Sequence, residues 1–213
     1  MKILLIVNNE KNCSKKVITF LKKKFTKLKV IDHNDFNNDI KNNFDYVLSY
    51  LSKKILKKKF LNKTKKYNIN FHPGPKKYPG IGCFNFALYN NEKDYGVTAH
   101  LIDEKIDSGK IIKERIFKID KSYDVQKISD KSYNEMFLLL KEIVKMILKN
   151  RIIFVEKKWE RKAYTKKDLN KLAKIKNSYS KKKINKILRC LYMQNKPAPF
   201  IIIKGFKFEY KDL

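Results

Sequence analysis

The segment Asn70-Phe71-His72 sets a carboxamide and an imidazole two residues apart, where a strand-like stretch, Tyr67 to Phe71, runs out. On an extended strand, residues two apart share a face, so both side chains reach the same space beyond the strand. Further along, Asp103-Glu104-Lys105-Ile106-Asp107-Ser108-Gly109 gathers three carboxylates beside a glycine that permits a tight turn. An imidazole can move a proton near neutral pH, and an amide N–H can donate to an oxyanion. A carboxylate can orient and support the imidazole. One Asn, one His and one Asp on neighbouring strand ends would make a metal-free acid–base site.

Each of the three also has a plainer reading. His72 precedes Pro73, and its imidazole could bond loop backbone groups just as well. Asn70 could form a turn, and Asp107 before Ser108-Gly109 taken alone is a turn residue. His100, in the middle of an alternating stretch, reads as packed or pocket-lining, and His33, among Asp and Asn, as surface.

Between the two groups lies Pro73 to Gly82, PGPKKYPGIG, which holds three of the five prolines and three of the six glycines in the chain. It has neither helical nor strand period. Proline removes a donor and fixes φ, whereas glycine allows close approach, so the stretch is a costly connector or a shaped loop.

The elements that must position these groups follow from periodicity. Ile3 to Val7 is a short apolar run, the pattern of a strand buried on both faces. Ser14 is expected to cap a helix with Val17, Phe20, Leu21, Phe25 and Leu28 on one stripe. Lys29 to Asp32, Tyr46 to Leu51 and Tyr67 to Phe71 read as further strands, with a helical patch around Ile55, Leu56 and Phe60. This alternation predicts an α/β fold, a Rossmann-like, doubly wound and mostly parallel sheet. A helix from Cys83 to Asn90, a strand from Gly96 to Ile102 and an antiparallel partner from Ile111 to Ile119 follow. A long helix is expected from Asp124 to Lys149. We place a domain boundary there, with residues 1–150 as the catalytic unit. Residues 151–213 are a short extension of two helices and a hairpin about Gly205.

The formal charge of +30 invites a nucleic-acid partner, but only four of the 51 basic residues are arginine, the residue suited to bidentate phosphate and base recognition. We read the lysines as a solvated surface whose field attracts small anions. Three scattered cysteines without metal-ligand spacing predict a reducing compartment and no metal. The opening apolar run, five residues, is shorter than a signal-peptide core and far shorter than a membrane span. The expectation is a cytoplasmic protein with no membrane partner. No GxGxxG follows the first strand, which disfavours a dinucleotide site, and Walker A and GxSxG motifs are absent.

The ordered set Asn-x-His, a Tyr-Pro-Gly loop, Gly-Val-Thr-x-His and Ile-Asp-Ser-Gly-Lys-Ile-Ile resembles the formyltransferases that use N10-formyltetrahydrofolate. The likeness runs over about residues 45 to 120. It implies that Asn70, His72 and Asp107 are the catalytic Asn, His and Asp. Ser49, Tyr50 and Leu51 would lend backbone to a folate pocket, with Ile102 and Asp103 opposite. The chain lacks the SLLP-type sequence of the transfer-RNA and purine branches, and the part after Arg151 is short for the additional barrel domain of the transfer-RNA enzymes. PGPKKYPGIG, GVTAH and the closing PAPFIIIKGFKFEY are similar instead to the nucleotide-sugar N-formyltransferases.

That resemblance implies transfer of a formyl group to the amine of a dTDP-linked amino-dideoxy sugar, a step of lipopolysaccharide O-antigen biosynthesis, by a homodimer. The loop residues Lys77, Tyr78, Pro79, Gly80 and Ile81 would meet the acceptor. Lys77 could equally be one more solvated lysine, and Tyr164 either stacks on a base or is structural. Formylation of another amine such as methionyl-tRNA, or a non-catalytic folate- or nucleotide-binding domain, stands as the alternative.

Overall fold

The computed structural model describes residues 1–40, 43–194 and 196–211. Six strands form the central sheet: β1 (Lys2–Val7), β2 (Lys27–Asp32), β3 (Tyr46–Tyr50), β4 (Tyr67–His72), β5 (Asp94–Leu101) and β6 (Ile111–Lys118), in the order β2-β1-β3-β4-β5-β6. The first four run parallel, and β5 and β6 are antiparallel additions at one edge. The expected α/β, mostly parallel architecture is what the chain adopts.

β1 is apolar at every position from Ile3 to Val7 because both its faces are covered. Ile3, Leu5 and Val7 pack against Val17 and Leu21 of α1 (Asn12–Lys24) and against the long α4 (Val125–Leu148). Leu4 and Ile6 face the opposite side, toward Phe36, Phe44, Leu56 and Phe60, the last from the short α2 (Lys58–Leu61). Each fully buried side chain of this size contributes about 1.5–3 kcal/mol relative to exposure. α4 begins where the Asp124 side chain accepts from the Lys127 N–H, and it lays Met136, Leu140, Ile143 and Ile147 on the core.

Two expectations are corrected here. Ser14 does not cap α1. The helix starts at Asn12 with Lys11 before it, and the buried Ser14 hydroxyl donates back to the Asn8 carbonyl at 2.6 Å, fixing the turn out of β1. His33 is not a surface residue. It is buried at the end of β2, where its Nδ1 accepts from the Lys53 N–H at 3.1 Å and tethers the loop after β3.

A second core joins the remaining elements. α3 (Cys83–Tyr89) contributes Cys83, Phe86 and Leu88, and α6 (Lys181–Leu191) contributes Ile187 and Cys190. α5 (Lys166–Ala173) opens with a capping box of Thr165 and Asp168. A small sheet of β7 (Lys174–Ile175), β8 (Phe200–Ile203) and β9 (Phe206–Glu209) closes the described chain, with Lys204 and Gly205 turning the hairpin at positive φ. No helix among the described residues is long and apolar enough to cross a membrane.

Candidate active site

β4 delivers Asn70 and His72 to one face of the sheet, as the alternation requires. The antiparallel register with β5 then sets His100 directly opposite Asn70, and Thr98 opposite His72. On the far side of β5 the pairing with β6 skips a residue between Ala99 and His100, a bulge beside the site. The chain beyond β5 returns through the 103–110 loop, where Asp107 adopts φ +43° and points its carboxylate back at the strands.

The result is a compact quartet. His72 Nδ1 lies 3.1 Å from Asp107 Oδ2, and His100 Nε2 lies 3.2 Å from Asp107 Oδ1. Asn70 Nδ2 is 3.4 Å from Asp107 Oδ1 and 3.1 Å from His100 Nε2. The Gly80 N–H donates to Asp107 Oδ2 at 2.7 Å. Asp107, His72 and His100 are each more than nine-tenths buried at the side chain. Burial works to raise the Asp107 carboxyl, but His72, His100 and the Gly80 N–H overcome it and hold the group well below the usual carboxylate range. Asp107 is therefore a fixed anion.

His72 is balanced differently. Its Nε2–H donates to the Tyr78 carbonyl at 2.9 Å, so acceptors face both ring nitrogens and favour the imidazolium. Burial acts against the charge and is the larger influence, drawing His72 below its ordinary value although Asp107 and the Tyr78 carbonyl pull upward. An imidazole so opposed releases a proton readily, which suits a relay near neutral pH.

The Pro/Gly loop is the other wall of this site, and its composition has a steric cause. A Cβ on Gly74 would lie 2.5 Å from His72 Nε2, and one on Gly80, at φ +87°, would lie 2.3 Å from the Tyr164 carbonyl. The loop is bonded inward along its length. Thr98 Oγ1 donates to the Gly74 carbonyl, Tyr95 to the Pro73 carbonyl, and Gly80 pairs with Tyr164 in a parallel bridge. The Tyr164 ring in turn stacks on Phe86, centroids 3.7 Å apart, with the Arg161 guanidinium 3.4 Å above its other face.

Two cavities meet at Asp107. The first, about 400 Å³, is floored by Asn70, His72 and His100 and walled by residues 51–56 and 102–107. The second, about 1140 Å³, lies between residues 105–110 and 155–163 and is rimmed by Lys105, Lys110, Lys157, Lys158, Arg161 and Lys162.

Residues 5–142 match the formyl transferase family. The chain belongs to that family. Among curated relatives, this formyl transferase is 31% identical over 152 residues to the bifunctional polymyxin resistance protein ArnA of Wigglesworthia glossinidia brevipalpis. That match covers 71% of this chain and 22% of ArnA. It is 36% identical over 124 residues to the methionyl-tRNA formyltransferase of Borreliella afzelii, 56% of this chain and 39% of that one. The aligned part thus spans between about a fifth and two-fifths of these relatives. Solved structures share the fold over nearly the whole chain. A sugar N-formyltransferase from a Shewanella species gives a TM-score of 0.79 at 19% identity, covering 99% of this chain and 97% of the other. An N-formyltransferase of Helicobacter canadensis, complexed with folinic acid and dTDP-3-aminofucose, gives 0.75 at 21%, covering 96% and 85%.

Of the residues singled out from the sequence, this family member brings Asn70, His72 and Asp107 together. It sets Ser49, Leu51, Ile102, Asp103, Gly80 and Ile81 along the first cavity. Four others do not line it. The Tyr50 side chain is fully buried in the core against Phe71, so only its backbone can face a ligand, the part the resemblance assigned to it. The Tyr78 ring is 2% exposed, with its hydroxyl donating to Glu92 at 2.7 Å, so its ring anchors the loop while its carbonyl holds His72. Lys77 is paired with Glu92 at 2.7 Å and lies outside both cavities, as does Pro79. Two residues were undervalued. Reading His100 as pocket-lining understates its contacts with Asn70 and Asp107. Trp159, the only tryptophan, has no motif around it, yet its ring stands edge-on to His100 at 4.9 Å and to His72 at 5.8 Å. The repeated His in the Gly-Val-Thr-x-His strand was the available signal for the first. For Trp159 the sequence offered none.

Proposed function

We propose that the chain transfers a formyl group from N10-formyltetrahydrofolate to the amine of a nucleotide-linked amino sugar. The observation that carries the reading is the convergence of Asn70, His72 and Asp107 on the floor of a mostly apolar cleft that opens beside a larger, cation-rimmed groove. A cleft with few, convergent polar groups fits a flat, heteroaromatic donor such as a reduced folate. The neighbouring lysines and arginine suit a diphosphate-bearing acceptor. The folinic acid and dTDP-3-aminofucose bound to the Helicobacter canadensis protein support the same pairing of donor and acceptor.

In this reading the neutral amine of the acceptor attacks the formyl carbon, a new C–N bond forms, and the bond from that carbon to N10 breaks. Asn70 turns its carboxamide N–H from Asp107 and His100 toward the carbonyl oxygen as it gains negative charge. The His72–Asp107 pair relays the proton shed by the attacking nitrogen to the departing N10 through water, since the ring's Nε2–H is held by the Tyr78 carbonyl and its Nδ1 faces Asp107. Asp107 stays ionised, stabilises the transient imidazolium and fixes the ring's orientation. Gly80 and Ile81 line the amine's approach, held by Tyr164.

The test is a panel of dTDP-amino sugars carrying the amine at C3 or C4, each incubated with N10-formyltetrahydrofolate and scored for formylated product by mass. Turnover of at least one sugar is expected. Formylation of methionyl-tRNA with none of the sugars would replace the acceptor, and absence of any transfer would remove the enzyme reading.

A further inference from the structure

Trp159 stands between the two cavities. Its indole lines the second, His72 and His100 floor the first, and its ring meets both imidazoles edge-on, at 5.8 Å and 4.9 Å. No step of the proposed transfer uses it. The side chain is half-buried, and its Nε1–H donates to the Gly109 carbonyl at 2.9 Å, two residues beyond Asp107. One ring therefore touches both imidazoles and the loop that carries their shared carboxylate.

The 155–163 segment that carries Trp159 has neither helix nor strand, yet it is fastened on both sides of the ring. Before it, the Val155 N–H donates to the Ile111 carbonyl at 3.1 Å, and Lys157 pairs with Glu114 at 3.2 Å. After it, the Glu160 N–H donates to the Lys76 carbonyl at 3.2 Å, and the Tyr164 N–H to the Pro79 carbonyl at 2.9 Å. Glu114 also accepts from the Lys76 N–H at 2.9 Å, so β6, the Pro/Gly loop and this segment close one frame around the indole. A side chain framed in this way can fix the groups it touches rather than follow them.

We propose that Trp159 is a positioning residue for formyl transfer: its ring closes the imidazole pair off from the second groove and holds both rings against Asp107. The proposal rests on the formyl-transfer reading above. Without the indole, water from the groove reaches the rings, loosens their hold on the carboxylate and relieves the burial that disfavours a charged imidazole. The groups that face His72 are Asp107 from the 103–110 loop, His100 from β5 and the Tyr78 carbonyl, with Cys83 of α3 beyond Gly74. The 155–163 segment meets it with the uncharged indole. Burial draws the proton affinity of His72 down, aided by His100, while Asp107 and the Tyr78 carbonyl pull it up. Admitted water therefore moves the balance upward.

The chain has only three histidines, so the His72 ring can be followed by NMR through a pH titration with neither donor nor acceptor present. In Trp159→Ala it should titrate at a higher pH than in the wild type. In turnover assays kcat should fall by about 10²-fold with a smaller change in KM, and its acid limb should move upward with the His72 titration. Trp159→Phe keeps a ring beside the imidazoles without the bond to Gly109, and should restore the titration and most of kcat. A His72 titration unmoved in Trp159→Ala overturns the proposal. So does a loss confined to KM, which would make the indole a contact for the acceptor, and so does a Trp159→Phe that behaves like Trp159→Ala, which would pass the role to the Gly109 bond. If melting shows Trp159→Ala unfolded, Trp159→Leu, with apolar bulk and no ring, is judged by the same readouts. A wild-type protein that transfers no formyl group would remove the functional reading, while the His72 titration, needing no substrate, still decides whether the indole governs the imidazole.

Discussion

Gly80 and Asp107, 27 residues apart in sequence, are joined by a 2.7 Å hydrogen bond from the glycine N–H to the same carboxylate oxygen that faces His72. The Pro/Gly loop and the carboxylate that faces the imidazole are thus one mechanical unit. A change at either is felt at the other.

Asp107→Asn should leave the fold intact and lower formyl transfer by about 10²–10⁴-fold, since an amide can keep the contacts but cannot stabilise an imidazolium. Asn70→Ala should cost about 10²–10³ in kcat with a smaller change in KM, as expected for a donor used mainly in the transition state. Product formation by mass, with melting temperature as the control for folding, checks both. Turnover near wild type in either variant would sink the mechanism.

Burial lowers the His72 pKa from 6.5, so the folded protein binds fewer protons there than the unfolded chain. Its contribution to stability is complete above pH 6.5 and is lost as pH falls from there through the folded value. Asp107 behaves as a depressed carboxyl, its contribution present above pH 3.8 and lost only in stronger acid. The melting temperature should therefore decline in two steps on acidification, and His72→Gln should remove the upper one. Trp159, the sole indole, lies against both imidazoles, and a protonated imidazole quenches indole emission. Its fluorescence should fall across the same upper window in the wild type, and the fall should be smaller in His72→Gln. An unchanged pH profile in that variant would contradict the assignment.

Gly80→Ala places a Cβ 2.3 Å from the Tyr164 carbonyl at a positive φ. The backbone conformation alone costs about 1–2 kcal/mol, and relief of the clash must open the bridge to Tyr164. A lower melting temperature together with a raised KM for the acceptor is expected. A variant with unaltered KM would show that the loop's position is set elsewhere.

Much of this was legible before any coordinates. Ile3 to Val7 could only be a strand covered on both sides, and the two-residue spacing of Asn70 and His72 fixed their common face. Asp107 was singled out among three carboxylates only by the resemblance of Ile-Asp-Ser-Gly-Lys-Ile-Ile to the family. What escaped depends on long-range register. His100 meets Asn70 because β5 pairs with β4 at one particular alignment, and no local pattern reports that alignment. Tyr78 and Lys77 were expected to meet the acceptor, yet Glu92, 14 residues beyond Tyr78, pairs with both, taking the Tyr78 hydroxyl inward and leaving Lys77 exposed outside the cavities. Ser14 and His33 fit their local rules for caps and turns, but the Ser14 hydroxyl turns back to the Asn8 carbonyl and His33 takes the Lys53 N–H from the loop after β3.

The bridge from Tyr164 to Gly80 bears on how such a protein could be cut or recombined. The stretch matching the family ends at residue 142, before Trp159 and Tyr164 are reached. A fragment trimmed to that boundary, or a chimera joined there, would keep Asn70, His72 and Asp107 but lose the strap that fastens the Pro/Gly loop. Any graft between relatives must therefore carry the 155–164 segment along with the loop it fastens.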